Sequence, residues 1–349
     1  MKRKFITILF ALFCCIIPAS ATGYQDVAQD SPWREGIAYV TEQGIACGTG
    51  NGCFSPDAPI TTRQWAAMVY HALQAQGAQS AAAQDAVRQG YEQHWLNMTA
   101  LTAPDLPMCR GVLYQSAFRA FEIQIYSAEL YPGGSALSDA EDCMRAAKEF
   151  GLCGEDAAAS QIVTRGETAA LLRRLLTEQF VMAPPPLLGE FPISIEEAVD
   201  INRYLVELSR VPKPILDAFK KKAWSCRVEF DYLQKLSQAY SMTCAGATDY
   251  NTNTIYLAQA QSVAHEFGHF LDYCLNFPDK HTRLFEAESA NAIEILGSYS
   301  QRGSREYVAE YFAFWLKNRT RPDKMCALQA ASPATYAYFL ELEAANWIL

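Results

Sequence analysis

The residues best suited to chemistry lie in Ser262–Tyr273, which reads S-V-A-H-E-F-G-H-F-L-D-Y and contains His265-Glu266-Phe267-Gly268-His269. Residues four apart share one face of a helix, so both imidazoles can bind one metal ion. Glu266 lies one step around the helix, where a carboxylate can take a proton from a metal-bound water. The pattern predicts a hydrolytic zinc site. The alternative is an amphipathic helix that carries two histidines by chance.

A catalytic zinc site needs a third protein ligand and one open position. Ser304–Lys317, S-R-E-Y-V-A-E-Y-F-A-F-W-L-K, is predicted to be an apolar helix with Glu306 and Glu310 on one face. A carboxylate buried there costs free energy unless it has a partner, which favours a position at the metal. Glu306 could instead be a first-turn acid favoured by the helix dipole. Glu286 and Glu288 remain alternative third ligands.

These motifs resemble the catalytic domain of anthrax lethal factor and the related Pro-Pro endopeptidases. The shared features are His265–His269 followed by Asp272, then Glu306-Tyr307-Val308-Ala309-Glu310, with Ser298-Tyr299 seven residues before the helix motif at the tyrosine. The resemblance covers roughly residues 190–349. It implies a zincin fold of the gluzincin type.

The same resemblance implies roles for individual residues. His265, His269 and Glu306 would hold Zn²⁺, and Glu266 would be the general base. Tyr299 would stabilise the oxyanion, although a buried core tyrosine is the alternative. Glu310 would orient a ligand histidine. Asp272 is expected to support the helix without touching metal, and His281 is expected to be a loop residue.

The N-terminal part contains a helical unit at about residues 22–78. A helix is predicted from Ser31-Pro32 to Gly44 and a second from Thr61. The unit resembles the S-layer homology module in Asp26-Val27, Trp33, Gly44-Ile45, Gly48-x-Gly50-x-Gly52-x-Phe54-x-Pro56 and Ile60-Thr61-x-Arg63. Members of that family hold exported proteins to cell-wall polysaccharide, often as three modules around a pseudo-threefold axis.

Weaker copies of this unit are predicted at about 79–130 and 131–180, because one short helix pair cannot bury its own core. The resemblance implies that Arg63, Arg110 and Arg165 bind wall polymer. The alternative is a helical spacer that has lost binding.

Composition sets the class of protein. The chain has 349 residues, is 50% apolar and carries a net charge of −9, which indicates a globular chain and argues against a nucleic-acid partner. Lys2-Arg3-Lys4, an apolar run and Ala19-Ser20-Ala21 predict a signal peptide over residues 1–21. No other stretch is apolar enough to span a membrane. We therefore expect a bacterial protein that is secreted and held at the cell wall.

The clearest boundary is Pro184-Pro185-Pro186 within residues 181–193. It predicts a stiff polyproline linker, or else a short ordered crossing. Ser194 and Glu197 predict a capping box for a helix over 195–209, at the start of a domain spanning 194–349. Short strands precede the metal helix, so the fold class is α+β, and an edge strand could pair with an extended peptide substrate.

Nine cysteines remain after the signal peptide, and export permits disulfides. The suggested pairs are Cys47–Cys53, Cys143–Cys153, Cys226–Cys244 and Cys274–Cys326. Cys109 would then be unpaired.

The sequence therefore predicts a cell-wall-associated zinc metalloendopeptidase that acts on extended extracellular proteins. Pro-rich targets are implied by the family alone. A cell-wall peptide hydrolase is one alternative. A non-catalytic wall-adhesion protein with a vestigial peptidase domain is another.

Overall fold

The computed structural model describes residues 23–75, 85–195, 199–241 and 243–347; the predicted signal peptide lies outside them. The described residues form the helices α1 Arg34–Glu42, α2 Thr62–Ala75, α3 Ala86–Glu92, α4 Met98–Thr102, α5 Arg110–Ala120, α6 Asp139–Glu149, α7 Arg165–Thr177, α8 Pro186–Gly189, α9 Asn202–Leu208, α10 Lys213–Lys221, α11 Phe230–Tyr240, α12 Val263–Cys274, α13 Asp279–Leu296, α14 Ser304–Asn318, α15 Pro322–Ala331 and α16 Pro333–Ala344. The strands are β1 Ile193–Ile195, β2 Ser225–Val228, β3 Gly246–Asp249 and β4 Thr254–Leu257. Short 3₁₀ turns cover Ala128–Leu130, Ala260–Ser262 and Ser298–Arg302.

Three helical units surround a common axis in the N-terminal half. Backbone hydrogen bonds close a ring there: Ile60 N donates to the oxygen of Val163, Val163 N to that of Met108, and Met108 N to that of Ile60, at 2.9, 3.1 and 2.9 Å. All three side chains are buried. Because each residue precedes the last helix of its unit (α2, α5 or α7), the ring aligns the three units residue by residue.

Close helix packing completes this half. A Cβ on Gly36 of α1 would lie 2.5 Å from the backbone of Ala170 in α7, so only a glycine permits this approach. Trp33, just before α1, packs on Gly166 at the start of α7 in the same way. The first and third units are therefore in direct contact.

The C-terminal half carries a four-stranded sheet in the order β1-β2-β4-β3. β1, β2 and β4 are parallel, and β3 runs antiparallel to β4 at one edge. A tight turn joins β3 to β4, in which the Asp249 carboxylate accepts hydrogen bonds from Asn251 N and Thr252 Oγ1. α12 follows β4 after a single 3₁₀ turn. The fold class is α+β, as predicted.

Aromatic side chains pack α12 against α10 and the start of β2. Phe267 and Phe270 lie on its buried face, and the Phe219 ring of α10 is 5.0 Å from each by ring centroid. Trp224, just before β2, lies 5.1 Å from Phe270. The opposite, polar face of α12 carries both histidines and faces α14.

The structure differs from two expectations and decides between two alternatives for a third. Ser194 belongs to strand β1 and caps no helix, because Ile193 and Ile195 pair with β2; α9 begins at Asn202, and Glu197 lies outside the described residues. Residues 181–193 form the ordered crossing that was the alternative to a polyproline rod: they include the helical turn α8, and Met182 and Leu188 are buried. The structure contains none of the four suggested disulfides.

No helix among the described residues is long and apolar enough to cross a membrane.

Candidate metal centre

Three predicted ligands meet where α12 packs against α14. His265 Nε2 lies 3.2 Å from His269 Nε2 and 3.2 Å from Glu306 Oε2, and His269 Nε2 lies 3.3 Å from the same oxygen. Among the described residues this is the one group of three or more His, Cys, Asp or Glu side chains placed to share an ion. The donor atoms form a nearly equilateral triangle.

The triangle has the dimensions of a zinc site. Tetrahedral zinc with bonds of about 2.0–2.1 Å spaces its ligand atoms about 3.3–3.4 Å apart. Glu306 Oε2 is buried and makes no hydrogen bond of regular geometry in the described structure, although both imidazoles are close. A buried carboxylate oxygen without a hydrogen-bond donor is costly, and a cation at this position would stabilise it. Two imidazoles and one carboxylate form a catalytic donor set, which leaves a fourth position for substrate or water.

Glu310 lies one turn after Glu306 in α14, with its Oε1 3.0 Å from Nδ1 of His265. A carboxylate there favours the tautomer that presents Nε2 to a metal. Burial alone would lower the pKa of His265, but Glu306 and Glu310 raise it to about 10. Burial alone would raise the pKa of Glu306, but the two imidazoles lower it to about 2. The two carboxylates therefore favour positive charge at this position.

The approach of α14 to α12 depends on Gly268, the glycine between the two histidines. A Cβ at this position would lie 2.6 Å from Cα of Ala309 and 3.1 Å from its Cβ. Ala309 is flanked in α14 by Glu306 and Glu310, so this contact sets how near both carboxylates come to the imidazoles. Nδ1 of His265 and Nδ1 of His269 are both buried and make no hydrogen bond of regular geometry among the described residues, although Glu310 Oε1 lies 3.0 Å from the former.

Glu266 lies on the sheet side of the triangle, where it is 4% exposed. Burial raises the pKa of its carboxyl group, against the effect of the two histidines. Thr248 Oγ1 of β3 donates a hydrogen bond to Glu266 Oε2 at 2.7 Å, and Gly246 of β3 lies against the same carboxylate. Sequence reasoning missed both residues, because a contact between a strand and a later helix leaves no local pattern.

Tyr299 lies in the 3₁₀ turn that precedes α14, with its ring centroid 5.6 Å from that of His265. The guanidinium of Arg302 lies over the same ring, 4.9 Å from its centroid. Burial and the nearby Glu306 carboxylate raise the pKa of Tyr299 to about 12, so the phenol stays protonated near neutral pH. Tyr299 is thus half-buried beside the triangle.

His281 is not a loop residue, as the sequence suggested, but lies in the first turn of α13. Its Nδ1 is 2.6 Å from Oδ1 of Asp272, and its Nε2 is 3.0 Å from the hydroxyl of Tyr338 in α16. Asp272 and His281 are almost wholly buried. Asp272 therefore ties the end of the metal helix to α13 and, through His281, to α16.

The two alternative third ligands are positioned elsewhere. Glu288 accepts hydrogen bonds from Ala334 N, Thr335 N and Thr335 Oγ1, so it caps the first turn of α16. Glu286 is exposed on α13. Neither belongs to the triangle.

The predicted wall-binding arginines are not equivalent, and the assignment of Arg63 was one residue out of register. Gln64 N donates to Thr61 Oγ1 just as Glu167 N donates to Thr164 Oγ1, each at 3.2 Å. The ring of backbone hydrogen bonds gives the same alignment, so the counterpart of Arg110 and Arg165 is Thr62. Arg63 instead forms an exposed ion pair with Asp105 at 2.7 Å.

Arg165 and Arg110 have different surroundings. Arg165 is buried; it donates to the carbonyl oxygens of Phe54 and Cys47 at 3.0 and 3.2 Å, and so holds the glycine-rich loop. Arg110 lies 2.6 Å from Glu167 and lines a cavity of about 430 Å³ between the second and third units. Trp33, Tyr114, Gln161 and Arg174 also line this cavity.

Residues 23–61 match the S-layer homology domain. No curated protein matches the chain. The matched segment covers the first unit as far as the cap of α2, which confirms the resemblance seen there. S-layer homology domains bind cell-wall polysaccharide, which indicates a protein of the bacterial cell surface. The resemblance of the second and third units to this family, and the resemblance to lethal factor, stay predictions.

Proposed function

We propose that this protein is a cell-surface zinc metalloendopeptidase. The supporting observation is the ligand triangle of His265, His269 and Glu306, with the buried carboxylate of Glu266 beside it. Structural zinc sites use four protein ligands, whereas a site with three leaves room for a reaction. A gluzincin-type peptidase, as the resemblance to lethal factor implies, has this donor set.

The residues divide the chemistry between them. Zinc, when bound, supplies Lewis acidity to the peptide carbonyl and lowers the pKa of water. Glu266 takes the proton of the attacking water and passes it to the leaving amine. Tyr299 donates a hydrogen bond to the charge that develops on the carbonyl oxygen. Glu310 holds the ring of His265 in the tautomer that binds metal.

The proposed substrate is an extended peptide. β3 is an edge strand in the part of the chain described, and its residues contact Glu266. A peptide that adds to this edge is held by main-chain hydrogen bonds next to the general base. Cleavage within Pro-rich targets is implied by the family resemblance alone.

The test is a digest of a peptide library by the purified mature chain, read by mass spectrometry together with its zinc content. We expect one zinc per chain and defined cleavage products. Glu266→Ala should keep the zinc, and its kcat/KM should be about 10²- to 10⁴-fold lower. The control Glu286→Ala changes an exposed carboxylate on α13 and should cleave normally. Absence of zinc, or a Glu266→Ala variant as active as wild type, would refute the proposal.

The same digest separates the alternatives. A cell-wall peptide hydrolase releases muropeptides from purified walls and leaves protein substrates intact. A wall-adhesion protein with a vestigial site cleaves neither.

A second proposed activity is binding of wall polymer in the cavity at Arg110. Its aromatic side chains, and Arg110 and Arg174 beside the carboxylates of Glu167 and Asp156, suit the hydroxyl groups and rings of a sugar chain. Arg110→Ala should reduce binding of the mature chain to purified cell walls at least about tenfold. Arg88→Ala, which removes an exposed ion pair on α3, is the matched control. Undiminished binding by Arg110→Ala would exclude this cavity.

A further inference from the structure

We propose that Thr248 and Gly246 of β3 act together as a positioning clamp for the carboxylate of Glu266. The effect of the clamp on kcat rests on the proposed peptidase function. The contacts themselves can be tested in the zinc-free protein.

Thr248 fixes one oxygen of the carboxylate. Its hydroxyl donates to Oε2 at 2.7 Å, and a hydrogen bond to an ionised acceptor is stronger than one between neutral groups. Glu266 is almost wholly buried, so water has little access to replace this donor. Removal of the hydroxyl would leave Oε2 free to rotate about the last side-chain bond, which has a broad torsional preference.

Gly246 leaves room for the other oxygen. Residues two apart in a strand point to the same face, so position 246 faces Glu266 as Thr248 does. A Cβ at 246 would lie 2.5 Å from Oε1 and 2.9 Å from both Cγ and Cδ of Glu266. The carboxylate therefore packs directly on the strand backbone, where any larger residue would displace it.

The sheet holds the clamp in register with the base. Gly246 pairs with Leu257 and Thr248 with Ile255 of β4, and β4 leads through the 3₁₀ turn Ala260–Ser262 into α12. β4 and a single 3₁₀ turn thus join the clamp to the base, which leaves the two little freedom to slide.

The kinetic test compares Thr248→Val, which keeps the shape and removes the hydroxyl, with Thr248→Ser, which restores it. We expect Val to lower kcat about 10- to 100-fold while KM changes less than about twofold, because a misplaced base slows the chemical step and not binding. Ser should recover most of the rate, and zinc content should not change. The control Thr252→Val removes a similar hydroxyl–carboxylate hydrogen bond in the exposed turn and should be fully active.

The structural test uses urea unfolding of the zinc-free protein. Gly246→Ala should lower the unfolding midpoint in the wild-type background but not in a Glu266→Ala background, where the carboxylate that clashes with the methyl group is gone. Thr248→Val should likewise cost stability only when Glu266 is present.

The outcomes separate the two proposals. The clamp is overturned if Gly246→Ala or Thr248→Val shifts the unfolding midpoint equally with and without Glu266→Ala. It is also overturned if Thr248→Ser is as slow as Thr248→Val. A wild-type protein that cleaves no peptide overturns the peptidase function, while the unfolding data still decide whether the clamp contacts exist.

Discussion

Gly268→Ala tests whether the contact between α12 and α14 places the third ligand. The new methyl group would lie 2.6 Å from Cα of Ala309, which is 0.8 Å short of ordinary van der Waals contact at 3.4 Å. The obstacle is a backbone atom, so no side-chain rotation relieves it. α14 must move outward by nearly this distance and carry Glu306 with it. The triangle of donor atoms, now 3.2–3.3 Å on a side, would open.

The expected loss of zinc affinity follows from the size of this displacement. Overpacking of a core by one methyl group costs about 1–3 kcal/mol. Metal–ligand distances tolerate only about 0.2 Å of change, so much of the strain appears when zinc binds. We expect zinc affinity to fall about 10- to 100-fold, at about 1.4 kcal/mol per tenfold. Thermal unfolding of the zinc-free variant should also occur at lower temperature.

Competition with a chromogenic chelator measures the affinity. The matched control is Gly189→Ala, because a Cβ there meets no atom within 4 Å. Adding Ala309→Gly to the variant should recover only part of the loss, since the Cα of residue 309 remains. If Gly268→Ala binds zinc as tightly as wild type and unfolds within about 1 °C of it, the helix contact does not place Glu306.

Three further predictions concern stability. His281→Ala should lower the free energy of unfolding by about 3–5 kcal/mol, because the buried Asp272 carboxylate loses its partner. Tyr338→Phe, which removes only the hydroxyl near Nε2 of His281, should cost about 1 kcal/mol. Urea titration of both variants checks this. Arg165→Ala should destabilise the N-terminal half by about 1–3 kcal/mol through the loss of donors to Phe54 and Cys47, and equal unfolding midpoints for variant and wild type would contradict that role. Burial alone would raise the pKa of Asp26, but the backbone N–H groups of Phe54 and Ser55 lower it below 3.8. This carboxylate therefore adds stability above the unfolded-state pKa that is lost as pH falls through the folded-state value. Wild type should lose more stability than Asp26→Asn between about pH 5.5 and about pH 3, and parallel pH profiles would refute this.

The parts of the site that sequence reasoning found are those encoded by local spacing. His265, Glu266 and His269 lie within one helix, so their geometry follows from the helical repeat. Glu306 and Glu310 were recognisable because charged residues are costly in an apolar helix. The clamp residues, in contrast, meet Glu266 only through the tertiary fold. Neither a threonine in a turn-like segment nor a lone glycine signals such a contact.

The register of the N-terminal arginines shows the same limit. Thr61-Thr62-Arg63 offers two possible caps, and the choice between them moves the arginine by one position. Only the hydrogen-bond ring through Ile60, which depends on residues more than forty positions away, selects Thr61. Ser194 was misassigned for a similar reason, since parallel pairing with β2 outweighed its local capping pattern.

The charge of the candidate site bears on whether it binds a metal ion. Glu266, Glu306 and Glu310 surround two imidazoles; Glu266 and His269 are buried, and the other side chains are partly buried. Without a cation, this arrangement retains a proton on His265, whose pKa is raised to about 10. Zinc can replace that proton and bring a further positive charge, so its binding should stabilise the folded protein as well as equip it for hydrolysis. A large rise in unfolding temperature on addition of zinc, abolished by Glu306→Gln, would support the proposed metal site; no rise would contradict it.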